Sequence, residues 1–401
     1  MANTLTPRDA YVLMNSIAAQ ATGQTSLTAV DTTTFVSVGE TLLRTAAENT
    51  LSAISTVLAD TIFSVRPYKG KLESIKVAQR RWGAQVRKVV NLYSEAEASE
   101  DWNTDLNATQ LQDGSSVDMY TIKAPKAIQL NFYGTTLLQK HVTRFRDQLS
   151  IAFRDEAEFI RFIESVMVEF NNEIELLNEQ KTRLTLINFM AGLYDMNIGN
   201  VVDLVAEYNS TYSQTYTRDD LLTTYLQEFM KFISARIKTD SNKLTDYTSL
   251  YHANITGYNA ILRHTPKERQ KMLMFDPIFT RAESEVYSGL FNPQYLDIGT
   301  FEGVNFWQDP NTPASITCQP NELDVATGQS VDAAAAVGID FVLGLLYDEE
   351  ALGVMPQFDY ASTTPFNSAG GYYNMYMHWR FNAYNDYTEN AILYVLGAGG
   401  S

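Results

Sequence analysis

A span of 57 residues, Thr135 to Ala191, contains neither Gly nor Pro. These are the two residues most costly inside a helix, so a helix well beyond the globular average can form there. Asp155 followed by Glu158 supplies an N-cap and a first-turn carboxylate, where the helix dipole favours negative charge. Apolar residues then recur by threes and fours as Phe159, Ile163, Val166, Met167, Phe170, Ile174, Leu177, Leu184 and Ile187, apart from a gap at Lys181. The spacing predicts a spine helix from Asp155 to about Met190, ~50 Å long, with one stripe toward a core. The other face carries Glu164, Glu175, Glu179 and Arg183 and is expected to meet solvent or a neighbouring subunit.

The sharpest charge pattern precedes this helix. Between Arg66 and Lys88 stand eight bases (Arg66, Lys69, Lys71, Lys76, Arg80, Arg81, Arg87, Lys88) and one acid, Glu73. From Val89 to Ile122 the sign inverts, with Glu95, Glu97, Glu100, Asp101, Asp105, Asp113 and Asp118 and no base. Strand-like alternation at Ser74 to Val77 and Val86 to Val90, with turn residues at Gly70, Gly83 and Asp113-Gly114, predicts a long two-stranded projection over 63–126. Its bases, together with Glu95, Glu97, Glu100, Asp101 and Asp105, are candidate inter-subunit contacts. The bland alternative is a solvated hairpin whose charges only keep it soluble.

Thr6-Pro7-Arg8-Asp9 starts a short first helix, and Leu43, Ala47, Leu51, Ile54 and Leu58 trace a second from about Gly39. Ala21 to Val38 between them is a polar strap, and the whole is expected to be an arm that packs on something else. Ala127 to Thr136 is a strand leading toward the spine. Thr217 and Asp220 cap a helix with an apolar face of Leu221, Leu222, Tyr225, Phe229, Phe232, Ile233 and Ile237. Seven of the 11 prolines fall between Tyr247 and Tyr360, marking a separate mixed domain with a helix near Phe279 to Leu290. Val337 to Tyr347 is an apolar run expected to be a buried strand. Tyr372 to Phe381 and Ala391 to Leu396 are strands expected to return to the spine's sheet.

Composition narrows the function. An aromatic content of 12% in 401 residues is that of a folded chain. The net charge of -17 opposes tight binding to a phosphate backbone, so any relation to nucleic acid is containment. No apolar run of membrane-spanning length and no leader-like N-terminus is present, and the single Cys318 cannot form an internal disulfide, which fits an intracellular origin. His141, His252, His264 and His378 lack metal-ligand spacing, and no nucleophile, phosphate-loop or calcium-loop motif occurs. No catalytic residue, cofactor or metal is expected. The aromatic stretch Tyr372, Tyr373, Tyr376, Trp379, Tyr384 and Tyr387 suits an interface better than a ligand box.

The order of parts resembles the major capsid protein of tailed double-stranded DNA phages, the Hong Kong ninety-seven type of capsid fold, including those of short-tailed and gut phages. The stretches that carry the resemblance are Phe63 to Tyr68, Arg81-Trp82-Gly83 to Arg87-Lys88, Gln148 to Phe153 and Tyr376 to Glu389. It implies an α+β fold: N-terminal arm 1–62, extended loop 63–126, peripheral domain 127–200 with the spine, helical addition 201–244, axial domain 245–370 and closing peripheral strands 371–401. It also implies hexamers and pentamers closing into an icosahedral shell around packaged DNA, assembled in the host bacterial cytoplasm, with portal, scaffold or decoration proteins as partners and no membrane. An encapsulin-like compartment holding a cargo enzyme, or an oligomeric enzyme, are the alternatives.

Overall fold

The computed structural model describes residues 7–23, 28–45, 70–77, 86–92, 126–132, 135–145, 156–256, 261–285, 300–365 and 367–397, plus isolated positions 49, 53, 116, 119, 120, 122 and 124. Helices are α1 (Pro7–Thr22), α2 (Thr32–Thr45), α3 (Glu156–Met196), α4 (Leu204–Tyr212), α5 (Arg218–Thr223), α6 (Leu226–Lys243) and α7 (Asp276–Glu285). Strands are β1 (Val86–Asn91), β2 (Ala127–Phe132), β3 (Thr135–Phe145), β4 (Val201–Asp203), β5 (Gln270–Phe275), β6 (Thr300–Val304), β7 (Ile316–Cys318), β8 (Asn321–Asp324), β9 (Gln329–Asp332), β10 (Val337–Ile339), β11 (Val342–Asp348), β12 (Leu352–Thr363), β13 (Tyr372–Asn385) and β14 (Ala391–Val395). Two compact units result: Met1–Ala84, Gly134–Arg183 and Val354–Ala383 form the first, and Gln85–Tyr133, Leu184–Gly353 and Tyr384–Ser401 the second.

In the first unit, β13 sits between β12 and β3, antiparallel to β3 with Tyr376 opposite His141. Period-2 alternation along β13 buries Tyr373, Met375, Met377 and Trp379 on one face. Met14, Ile17, Phe35, Val38 and Leu42 of α1 and α2 join them in one core with Phe159 of α3, and Phe35 meets Phe159 edge-on at 5.4 Å. The described part of the arm therefore packs on its own chain, correcting the expectation of an arm without a core. Nor is 21–38 a strap. Helix α2 begins at Thr32, where the Asp31 carboxylate accepts from Thr34 N at 2.8 Å, and Phe35 and Val38 face inward. Most of the stripe read from Leu43 to Leu58 lies outside the described residues.

Helix α3 forms as expected and runs on to Met196; its Asp155 cap lies outside the described residues. Phe159 is buried, and Ile174 and Leu177 pack on the core. Two assignments reverse. Leu184 is 54% exposed, whereas Glu179 and Arg183 of the supposed outer face are buried. They are buried because they pair with each other one turn apart, and because the basic 70–77 segment lies over this face: Lys76 Nζ is 3.7 Å from Glu175 Oε2. Ser74 to Val77 is accordingly not a hairpin strand. A 3₁₀ turn at Glu73–Ile75 leads into a parallel bridge from Lys76 to Val354. Strand β3, inside the span free of Gly and Pro, is an element the helical reading missed.

The second unit is built on a sheet of order β4-β14-β11-β5-β6, antiparallel at its centre and parallel at both edges. All seven residues of β11 are buried, as the apolar run predicts, although β10 splits off from its start. A Cβ on Gly344 would lie 2.6 Å from the Leu273 carbonyl oxygen, so only Gly permits β5 to approach there. Residues 201–244 are integral to this unit: β4 pairs with β14, and Leu226, Phe229, Ile233 and Ile237 of α6 are buried. Thr217 and Asp220 form a full capping box, but the helix they start ends at Thr223 and α6 restarts at Leu226. The two closing strands separate: β13 belongs to the first unit's sheet up to Ala383, whereas β14 is an inner strand of the second.

Candidate subunit interface and the root of the charged ribbon

Strand β1 pairs antiparallel with β2, from Val86 opposite Phe132 to Asn91 opposite Ala127. The partner of β1 is thus the strand expected to lead toward the spine, and the pairing runs to Phe132, past the expected limit at residue 126. Leu92 N continues the ladder to Lys126 O at 2.9 Å. Alternation sorts the ribbon into two faces. Val90, Leu92 and Ile128 pack with Ile261, and the Phe132 ring lies 5.6 Å from Tyr384. Val89, on the opposite face, is 63% exposed.

Lys88 shares the inner face with Val90. Its Nζ donates to Asp386 Oδ2 at 3.0 Å and to Glu389 Oε1, and lies 3.4 Å from Glu350 Oε2. The acceptors are fixed beforehand. Asp386 Oδ1 takes Thr388 N at 2.9 Å and Thr388 Oγ1 at 2.7 Å, while Glu389 Oε1 also pairs with Arg263 Nη2 at 3.0 Å. Arg263 Nε in turn donates to Thr388 O at 3.0 Å. Burial would lower the Lys88 amine, but Asp386 and Glu389 together hold it above its ordinary value. Burial pushes the Glu389 carboxyl up to about 7, against the lowering by Lys88 and Arg263.

Every residue from Asp386 to Asn390 is buried. Beside Glu389, the Asn390 amide donates to Thr265 Oγ1 at 3.2 Å, and Thr265 donates to Asp348 Oδ2 at 2.8 Å. His252 Nε2 donates to the Ile261 carbonyl at 2.7 Å, and burial lowers this imidazole's pKa. An open cleft of about 340 Å³ borders Arg263, Arg269, Asp348, Glu350 and Glu389. Among the described residues no group of three or more His, Cys, Asp or Glu could hold a metal ion, and no helix is long and apolar enough to cross a membrane.

Of the candidate contact residues, the structure describes four. Lys71 and Lys76 belong to the first unit; Arg87 and Lys88 stand on β1 in the second. Lys76 pairs with Glu73 at 2.9 Å and, like Lys88, is engaged within the chain. Arg66, Lys69, Arg80, Arg81, Glu95, Glu97, Glu100, Asp101 and Asp105 lie outside the described residues. Sequence reading missed Asp386 and Glu389, whose partner stands some 300 positions away; the only local signal was two acids in a short link between apolar strands.

Comparison with known proteins locates this architecture. No curated protein matches the chain. Among solved structures, it is similar to a chain of the capsid of Staphylococcus phage Andhra, with a TM-score of 0.52 and 8% identity, covering 83% of this chain and 86% of that one. It is also similar to a chain in the structure of the head fiber and inner core protein gp22 of native bacteriophage P68, with a TM-score of 0.51, 10% identity and coverage of 81% and 84%. At such identities the likeness establishes the fold. The family model of the Phi29-like phage major capsid protein matches residues 14–395, nearly the whole sequence and both units. The chain therefore belongs to the Phi29-like phage major capsid proteins and is a structural protein of the capsid shell.

Proposed function

We propose that copies of this chain assemble as hexamers and pentamers into a closed icosahedral shell that encloses double-stranded DNA, in the cytoplasm of a bacterial host. Portal, scaffold or decoration proteins are its accessory partners, and the chain performs no catalysis. The family match over residues 14–395 carries this reading. Physical features agree with it. The outer face of the β1–β2 ribbon is open, with Val89 63% exposed, and the acidic residues from Glu95 to Asp118 have no base among them, so this part of the chain gains by meeting a neighbour. A net charge of -17 lets DNA pack densely without adhering to the wall. An encapsulin-like compartment is not favoured.

In this reading the basic residues near Arg80 and Arg81 meet the acids near Glu97 and Glu100 of the next copy, head to tail around a ring. Electron microscopy of the expressed chain, with and without co-expressed scaffold, tests the shell. Closed particles with nuclease-protected DNA from infected cells are expected. A 45.1 kDa monomer under every assembly condition would overturn it. Reversing Arg80 and Arg81 to Glu tests the contact: the variant should fold and fail to assemble, and normal assembly at low salt would remove it.

A further inference from the structure

We propose that Lys88 is a positioning residue, which fixes the register and exit direction of the β1–β2 ribbon by docking on Asp386 and Glu389. The inference rests on the assembly reading above, and it assigns Lys88 a role within the subunit instead of the inter-subunit contact expected from its charge.

Alternation along the ribbon forbids a slip of one residue, because every inner side chain would turn to solvent. A slip of two keeps the alternation. Val86, Val90 and Leu92 on β1, with Ile128, Leu130 and Phe132 on β2, are all apolar, so hydrophobic contact alone does not distinguish Val89 opposite Gln129 from Val89 opposite Asn131 or Ala127. Lys88 does. It is the charged residue of that face, and its acceptors cannot follow a slide, since Thr388 holds Asp386 from its backbone and hydroxyl while Arg263 holds Glu389. With β2 held by the Phe132 ring against Tyr384, a slide of β1 by two places would take the ammonium off Asp386 and Glu389 and leave them buried with Arg263 alone. Buried ion clusters are seldom more stabilising than apolar packing of the same volume; their best attested use is to select one register among several. The acidic residues 93–115 follow β1 directly in the chain, so the register at Asn91 and Leu92 sets the point from which they leave.

Disulfide trapping in the unassembled full chain reads the register directly. With Cys318 replaced by Ser, the pair Val89→Cys and Gln129→Cys reports the native alignment. Val89→Cys with Asn131→Cys, or with Ala127→Cys, reports a slip of two. In the Lys88 background only the native pair should close. Lys88→Met, which keeps the stem and removes the charge, should close the slipped pairs as well, speed exchange of the β1 amides about tenfold, and abolish regular shells while the melting of the five-stranded sheet persists. Lys88→Arg should restore the native trap and shells in part. Trapping of the native pair alone in Lys88→Met, or shells of wild-type yield and geometry from that variant, overturns the proposal. Failure of the wild-type chain to form any shell would instead count against the assembly reading, and the trapping result would still decide the register.

Discussion

Glu179 Oε1 accepts two hydrogen bonds from Arg183 one helical turn away, from Nε at 3.1 Å and from Nη2 at 2.7 Å, and both side chains are buried. What reads in sequence as the wet face of the long helix is thus an internal ion pair. Removing one member takes from the other, still buried, the opposite charge it is paired with. Glu179→Gln or Arg183→Met should each cost about 3–5 kcal/mol, and the double replacement by apolar residues of similar volume clearly less than their sum. Denaturant unfolding of the unassembled chain checks this cycle, and additive losses would show that the two charges are not coupled.

The phase of the same helix gives a second prediction. Ile174 packs on the first unit's core while Leu184 stands 54% exposed. Ile174→Asp should cost several kcal/mol by placing a charge against apolar neighbours, whereas Leu184→Ser should stay within about 0.5 kcal/mol of wild type. Thermal melts separate the two; equal losses would contradict the burial assigned to the helix.

Glu389 makes stability depend on pH in a direction opposite to that of most paired carboxylates. Its folded value of about 7 exceeds the ordinary 4.5, so the native state binds the proton more tightly. Its contribution is complete below 4.5 and is lost as pH rises through about 7. Glu389→Gln removes the titration, so the variant should gain on wild type between about pH 5 and pH 8 at fixed salt. Parallel stability curves over that interval would show that Glu389 is not responsible.

His252 works the other way. Burial is the main cause of its lowered pKa, against the hydrogen bonds to Ile261 O and Asn390, which raise it. Its contribution is complete above the ordinary 6.5 and is lost as pH falls toward the lower folded value. In a Glu389→Gln background, where the opposing titration is gone, stability should drop between about pH 7 and pH 5, and His252→Gln should flatten that drop. Urea titrations at several pH values measure both slopes.

Gly344 supplies a backbone test. Because a Cβ there would lie 2.6 Å from a main-chain oxygen of β5, Gly344→Ala should cost about 1–3 kcal/mol through displaced strands. Gly338 of β10, whose Cβ would meet nothing nearer than Thr317 Oγ1 at 3.9 Å, should accept Ala with little loss. Comparable melting temperatures for the two variants would mean that β5 and β11 can part cheaply.

Local signals in the sequence were legible in proportion to how far they depend on neighbours in the chain. The long helix, the Thr217–Asp220 capping box and the buried run of β11 each follow from residues a few places apart, and all three form. Strand β3 did not show, because Thr135 to Phe145 is bounded by Gly134 at its start but by no Gly or Pro at its end, and owes its conformation to pairing with β13 more than 200 positions later. The start of α2 was signalled by Asp31 and Thr34 but masked by the polar composition around them. Charges misled for a related reason: Lys76, Lys88, Glu179 and Arg183 all look like surface residues until their partners are known, and for Lys88 those partners stand 298 and 301 places away.

The packing of α1 and α2 against β13 also has a temporal meaning. Helices of 16 and 14 residues are marginal in isolation, and the strand that covers Met14, Ile17, Phe35 and Leu42 lies at Tyr373 to Trp379, far downstream. During translation the first-made helices must wait for one of the last-made strands before their apolar faces close. A nascent or prematurely terminated chain that lacks β13 cannot complete the core of the first unit.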